Sequence, residues 1–225
     1  MELIKIGEIK TGFKQKFGIP RQSGLVDEVG YIVFEPEFRN PTYIEGITEY
    51  DYLWLLWEFS KNKRLEGGTV RPPRLGGQTH MGVFATRAPF RPNNIGLSSV
   101  RLISVEQSPE EGPVLVVSGV DMLDGTPIYD IKPYIPYADC HPDARGGFTD
   151  SLLKGAQVLV EFPTELLEKL PENIRASAIS VLEQDPRAGY DRGKDREFRL
   201  AYHGFDLVFK SFDNKLLVID VVPIP

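Results

Sequence analysis

Short runs of β-branched and aromatic residues, each closed within a few positions by glycine or proline, dominate residues 1 to about 162. Such punctuation leaves little room for the 3.6-residue period of a long helix and predicts a mainly β fold. The runs cover residues 3–9, 31–34, 81–85, 97–105, 114–120 and 157–162. Residues 50–59 are apolar at nearly every position, which reads as a strand covered on both faces and entered by a short helix near Thr48. Many short strands without intervening helices form either a barrel or a sandwich.

The pattern changes after Pro163. Thr164 can cap a helix over residues 165–170, and residues 172–184 place Ile174, Ala178, Val181 and Leu182 on one helical face. Residues 198–202, 205–209 and 216–222 return to strand, with Asp213-Asn214 as the last hairpin turn. The chain thus divides into a mainly β unit, 1–162, and a small α+β unit, 163–225.

No apolar run approaches the roughly 18 residues of a membrane-spanning helix. The first seven residues show no basic leader or cleavage site, so a cytoplasmic protein is expected. Cys140 is the one cysteine, which excludes an internal disulfide and is expected to be a small buried residue. The three histidines, His80, His141 and His203, are about 60 residues apart, and no metal is expected. Glycine-rich dinucleotide and phosphate loops and the Gly-x-Ser-x-Gly elbow are missing, so a nucleotide-like cofactor would need some other scaffold.

A net charge of −6 argues against a nucleic-acid partner, but its distribution argues the other way. Residues 60–101 carry eight basic side chains and one acid, Glu66. A second cluster, Arg187, Arg192, Lys194 and Arg196, is interleaved with Asp185, Asp191, Asp195 and Glu197. One-signed charge in Pro/Gly loops suits anion binding; the alternative is a solvated face.

Two segments concentrate chemistry. In Gly82-Val83-Phe84-Ala85-Thr86-Arg87-Ala88-Pro89-Phe90-Arg91-Pro92-Asn93-Asn94-Ile95-Gly96-Leu97-Ser98, the prolines stiffen a loop that displays Arg87 and Arg91. Phe84 reads as a core aromatic of an alternating strand, or as a stacking contact to a cofactor. In the segment from Gly119 to Pro136, Asp124-Gly125 forms a tight turn, and Asp121, Asp124, Asp130, Lys132, Tyr129 and Tyr134 line the connecting backbone. The aspartates can orient sugar hydroxyls or an ammonium group, or serve only as turn residues.

These segments, with Phe17-Gly18-Ile19-Pro20-Arg21-Gln22, Val70-Arg71-Pro72-Pro73-Arg74-Leu75-Gly76-Gly77, Gln184-Asp185-Pro186-Arg187 and Tyr190, resemble the TrmO/TsaA-like family. These are bacterial β-barrel tRNA methyltransferases that use S-adenosylmethionine to methylate threonylcarbamoyl-adenosine beside the anticodon. The resemblance spans essentially the whole chain. It implies a barrel-like catalytic domain, a C-terminal domain assisting tRNA binding, and a homodimer with the cofactor near the subunit interface. It places cofactor contacts on Pro20, Arg21, Gln22, Arg87, Leu97, Asp121, Met122, Leu123 and Asp124. Ser60 and Lys61 align with a further contact pair that is often His-Gln in relatives, and Asn94 stands where many relatives have proline.

Methyl transfer from a sulfonium is an in-line displacement, which needs positioning and removal of a proton from a urea-like nitrogen. Asp124, Lys132 and Tyr134 are the catalytic candidates, with Arg87 or Arg21 facing a carboxylate and Asp121 or Asp124 the ribose or ammonium of the cofactor. Arg71, Arg74, Arg91, Arg187 and Arg192 are the expected tRNA contacts. A non-catalytic RNA-binding barrel is the main alternative, and a metal-dependent hydrolase the third.

Overall fold

The structure, a computed structural model, describes residues 2–63, 67–72, 75, 77–150, 158–187, 196–212 and 215–224. The elements run β1 (Gly7–Lys10), β2 (Val29–Phe34), β3 (Tyr52–Glu58), β4 (Thr69–Val70), β5 (Met81–Gly82), β6 (Ile95–Ser108), β7 (Gly112–Ser118), β8 (Thr126–Pro133) and α1 (Pro136–Asp139). There follow β9 (Leu159–Glu161), α2 (Thr164–Leu167), α3 (Glu172–Glu183), β10 (Glu197–Tyr202), β11 (Phe205–Phe212) and β12 (Lys215–Pro223).

The protein is mainly β. Six strands pair in a closed ring, in the order β1-β2-β7-β6-β3-β8 and back to β1. Closure removes most of the unpaired edges that strands of this length would otherwise expose. Ile9, Ile32, Leu53, Leu55, Trp57, Val100, Leu115, Val117 and Ile128 fill the interior. β3 departs from the expectation of burial on both faces: Leu53, Leu55 and Trp57 are buried, whereas Tyr52 is exposed and Trp54 and Leu56 half-buried. A strand in a small ring has one face inward, so the continuous apolar run signals an outer face that is also apolar. The expected helical entry at Thr48 is a 3-10 turn, Ile47–Glu49.

The second sheet has the order β10-β11-β12-β9, with β9 parallel to β12. β9 precedes Pro163, so this sheet begins a few residues earlier than the change in sequence pattern suggests. α3 buries Ile174, Ala178, Val181 and Leu182, the four residues that its periodicity aligns. The hairpin between β10 and β11 turns on His203 (φ 47°) and Gly204 (φ 80°), two consecutive positive-φ residues that match the twist of antiparallel strands. The Asp213-Asn214 turn lies outside the described residues.

The two sheets share a core. Phe13 bridges to Tyr202, and Phe17 stacks within 6.5 Å of both Phe198 and Phe209, so the chain after β1 is built into the second sheet. Glu28, 1% exposed, holds this junction. Its carboxylate accepts from the Gly12 N–H at 3.2 Å and from the Tyr202 hydroxyl, and His203 Nε2 lies 2.7 Å away. Burial and the Glu28 charge both push the Tyr202 hydroxyl well above the usual tyrosine range.

Three expectations fail at the surface. Cys140 is exposed rather than buried. The run 81–85 leaves strand after Gly82 and becomes a 3-10 turn, Val83–Ala85. Phe84 on that turn is 82% exposed, so it is no core aromatic.

Candidate active site

The site begins with a gap in the barrel wall. The first half of β6 pairs with β3, from Ile95↔Glu58 to Arg101↔Tyr52. Its pairing to β7 starts only at Arg101↔Ser118. Past Ser118 the chain is drawn aside, because the Gly119 and Val120 N–H groups both donate to the Glu28 carbonyl. The open edge of residues 95–100 therefore faces the 119–124 segment without ladder bonds between them. One side-chain bridge crosses the gap, with Ser98 Oγ donating to Asp121 Oδ1 at 2.6 Å.

Cross-strand packing fixes that bridge. Trp57 Nε1 donates to Ser98 Oγ at 3.0 Å. Its indole lies over Gly96, where an added Cβ would meet Trp57 atoms at 2.2 Å, so only glycine fits opposite Trp57.

A second loop closes on the same point. Gly24 N–H donates to the Gly119 carbonyl at 2.9 Å, and the Ser23 N–H donates to the Asp121 carboxylate. Gln22 Oε1 accepts from Arg87, whose charge acts on Asp121. Burial pushes the Asp121 carboxyl up to about 6; the Ser98 and backbone hydrogen bonds and the Arg87 charge oppose that shift without cancelling it. Gln22, Arg87 and Asp121, far apart in sequence, thus converge on one cleft with Ser98 and the Leu97 backbone edge. A half-buried acid, a cation and open backbone groups fit a ligand carrying ammonium, carboxylate and ribose.

The loop that carries Arg87 is held from within. Arg91 donates to the carbonyls of Val83 (3.2 Å), Thr86 (2.8 Å) and Ala88 (3.5 Å), and Thr86 Oγ1 donates to the Val83 carbonyl. Arg91 therefore braces the loop through Nη1, which is committed to backbone carbonyls, a role the sequence did not suggest.

Other expected residues lie elsewhere. Arg21 turns to the Asp185 and Arg187 carbonyls, both at 3.3 Å, and so leans on the second sheet's segment. Pro20 and Met122 are buried, and Leu123 is half-buried. Asp124 accepts from the Thr11 N–H at 2.9 Å and from Lys14 at 2.6 Å, one bond to each carboxylate oxygen, which ties the end of β1 to this segment. Ser60 and Lys61 follow β3, with the Lys61 carbonyl accepting from Lys16. Lys132 pairs with Asp130 at 2.8 Å on the outer face beside Trp54. Tyr134 packs its ring 5.7 Å from that of Trp54. Trp54 is three residues before Trp57, so Lys132 is displaced about 10 Å along the wall from the Trp57 bridge and faces away from it.

Among the expected tRNA contacts, Arg71 is exposed and its Nε donates to His80 at 3.0 Å. Arg187 is 1% exposed and grips both Asp185 oxygens, at 2.7 and 3.1 Å. A guanidinium so buried and paired is a structural tie and offers nothing to phosphate. Arg74 and Arg192 lie outside the described residues. Among the described residues no three His, Cys, Asp or Glu gather as metal ligands, and no helix is long and apolar enough to cross a membrane.

Sequence reasoning missed Trp57, Ser98 and Glu28. The alternation along β6 signals that Gly96 and Ser98 share the inner face; nothing local marks Glu28.

Residues 8–140 match the family described as the tRNA-methyltransferase O N-terminal domain. The tRNA (adenine(37)-N6)-methyltransferase of Escherichia coli K12 is 36% identical over 231 residues, 97% of each chain. RcsF of Pseudomonas aeruginosa, whose name places it provisionally among S-adenosylmethionine-dependent methyltransferases, is 41% identical over 83% of this chain and 82% of its own. A crystal structure of TrmO from Pseudomonas aeruginosa superposes with a TM-score of 0.79 at 33% identity, covering 99% of this chain and 97% of that one.

Proposed function

The chain belongs to the tRNA-methyltransferase O family, and on that premise we propose that it transfers a methyl group from S-adenosylmethionine to the exocyclic N6 of adenosine 37 in tRNA. The acceptor is the threonylcarbamoyl form of that adenosine, beside the anticodon. The observation that carries this reading is the convergence of Gln22, Arg87 and Asp121 on the gap between β6 and the 119–124 segment.

S-adenosylmethionine supplies an electrophilic methyl group on a sulfonium. Asp121, ionised above about pH 6, takes the ammonium or ribose, and Arg87 takes the carboxylate. Gln22 holds the Arg87 guanidinium in place. The backbone of the 20–22 loop, of Leu97 and of residues 122–124 is assigned to the remaining cofactor contacts, together with Ser60 and Lys61. Asp124 supports this segment through Thr11 and Lys14 and leaves proton removal to other groups.

Lys132 and Tyr134 are assigned to the acceptor, and a homodimer supplies the geometry. Tyr52, Ile95, Leu97 and Ile103 are exposed on β3 and β6, an apolar surface that a second copy would bury. Lys132 lies beside that surface, so burying it brings Lys132 and Tyr134 of one chain towards the cleft of its partner. Residues 1–162 form the catalytic unit and 163–225 assist tRNA binding, in the cytoplasm. Arg71 and the other basic residues of the 60–101 stripe, Arg87 and Arg91 apart, contact phosphate, so tRNA affinity falls steeply with salt.

Calorimetric titration with S-adenosylmethionine separates this reading from a non-catalytic RNA-binding barrel. The wild type is expected to bind, and Arg87→Ala to bind about tenfold to a hundredfold more weakly through loss of a charged hydrogen-bonding partner. A wild type that binds tRNA but not S-adenosylmethionine would support the binding module instead.

A further inference from the structure

Phe84 has the largest exposed ring on a loop that is otherwise rigidly held. It is 82% exposed. Val83, immediately before it, is 3% exposed and anchors the turn, and the Val83 N–H donates to the Gly68 carbonyl. Arg91 and Thr86 clamp the backbone on the other side through the Val83, Thr86 and Ala88 carbonyls. Leaving an aromatic ring in water forfeits its burial energy, and bracing the loop that holds it there points to a partner that is absent from the free chain.

The surroundings select the partner's chemistry. The β4–β5 hairpin sets Arg71 and His80 at the base of the same loop, two residues separate Phe84 from Arg87, and Phe90 is a second half-exposed ring. The stretch 60–101 carries a surplus of seven positive charges. An exposed aromatic flanked in sequence by a one-signed positive stretch, with Arg71 and Arg87 on the neighbouring hairpin and loop, suits a chain that offers both phosphates and unstacked π faces. A protein partner would not call for that surplus.

We propose that Phe84 is a stacking platform for an unpaired nucleobase of the tRNA anticodon loop, at the rim of the cleft that Arg87 enters. The assignment rests on the tRNA reading above and adds a contact that discriminates unpaired from paired RNA. The phosphate contacts of Arg71 and its neighbours supply salt-dependent affinity, whereas stacking supplies a salt-independent share.

The test uses full-length protein and an anticodon stem-loop RNA carrying 2-aminopurine in the loop. Phe84→Ala and Phe84→Leu are expected to weaken RNA binding by about tenfold to a hundredfold and to lose the 2-aminopurine quench. Phe84→Tyr and Phe84→Trp are expected to keep both. The slope of log affinity against log salt should be the same in all four variants, because no phosphate contact is removed. Methylation by Phe84→Ala should recover at saturating RNA, as a raised KM with kcat retained. Leucine performing as well as tyrosine would overturn the proposal, since apolar contact would then suffice. So would unchanged RNA affinity, or a loss confined to S-adenosylmethionine binding or to self-association. Because the fluorescence readout needs no methyl transfer, an inactive wild type would count against the enzymatic reading while leaving the stacking claim to be judged by binding.

Discussion

Asp121→Asn is expected to lower methyl transfer while making the protein more stable. The carboxylate is the one acid in the cleft that faces Ser98, the Ser23 N–H and the Arg87 charge together. Removing its charge should reduce kcat/KM for S-adenosylmethionine by roughly 10- to 100-fold, the usual worth of a hydrogen bond to a charged group. Stability moves in the opposite sense because burial holds the Asp121 carboxyl at about 6, against 3.8 for an open chain. A raised carboxyl favours its protonated form in the fold. Its contribution is therefore fully present below about pH 4 and lost as pH rises through about 6. Asparagine does not titrate, so the variant's advantage should grow between about pH 4 and pH 6 and then level off at no more than about 3 kcal/mol. Denaturant melts at pH 4, 5, 6 and 7.5 measure this. Equal stability of the two proteins at pH 7.5 would show that the carboxylate is not desolvated.

Glu28→Ala is expected to be the most damaging single substitution away from the cleft. It leaves the Gly12 N–H without an acceptor, the Tyr202 hydroxyl with Ser177 Oγ in place of a carboxylate, and His203 without its carboxylate, all at the junction of the two sheets. The loss should be about 3–5 kcal/mol, the usual cost of breaking a buried pair by deleting one partner. For a chain of this size that corresponds to a fall in Tm on the order of 10 °C. Glu28→Gln, which keeps an acceptor for Tyr202, should lose less. A second consequence follows from the backbone, since the Glu28 carbonyl also receives Gly119 and Val120 just ahead of Asp121. Loosening the junction should therefore weaken S-adenosylmethionine binding even at temperatures where the variant remains folded.

Patterns that depend on local periodicity were legible in the sequence. The inward face of α3 and the strands of the second sheet follow from spacing alone, because helices and strands bury residues at fixed intervals. The expected convergence of the 20–22 loop, Arg87 and Asp121 rests on resemblance, and hydrogen bonds give it a physical form. What periodicity cannot reveal is which polar groups meet across the fold. Arg187 and Arg91 read as phosphate contacts because charge is visible in a sequence and its partner is not. One pairs with Asp185, which adopts φ 49° two residues earlier, and the other braces its own loop. Ser98 and Trp57 escaped notice because their contact depends on the Trp57↔Gly96 register, a product of barrel closure. Of the two sequence readings of Phe84, the core aromatic fails for the converse reason. A strand-like run predicts an inward ring, and the 3-10 turn after Gly82 carries it out into solvent.

Nucleoside mass analysis of tRNA carrying threonylcarbamoyl-adenosine, incubated with the purified protein with and without S-adenosylmethionine, decides whether the protein methylates that nucleoside. The expected result is methylation of that nucleoside, a gain of one methyl group that depends on S-adenosylmethionine and is strongly reduced in Asp121→Asn. An unchanged nucleoside, from a folded protein that still binds the tRNA, would contradict it.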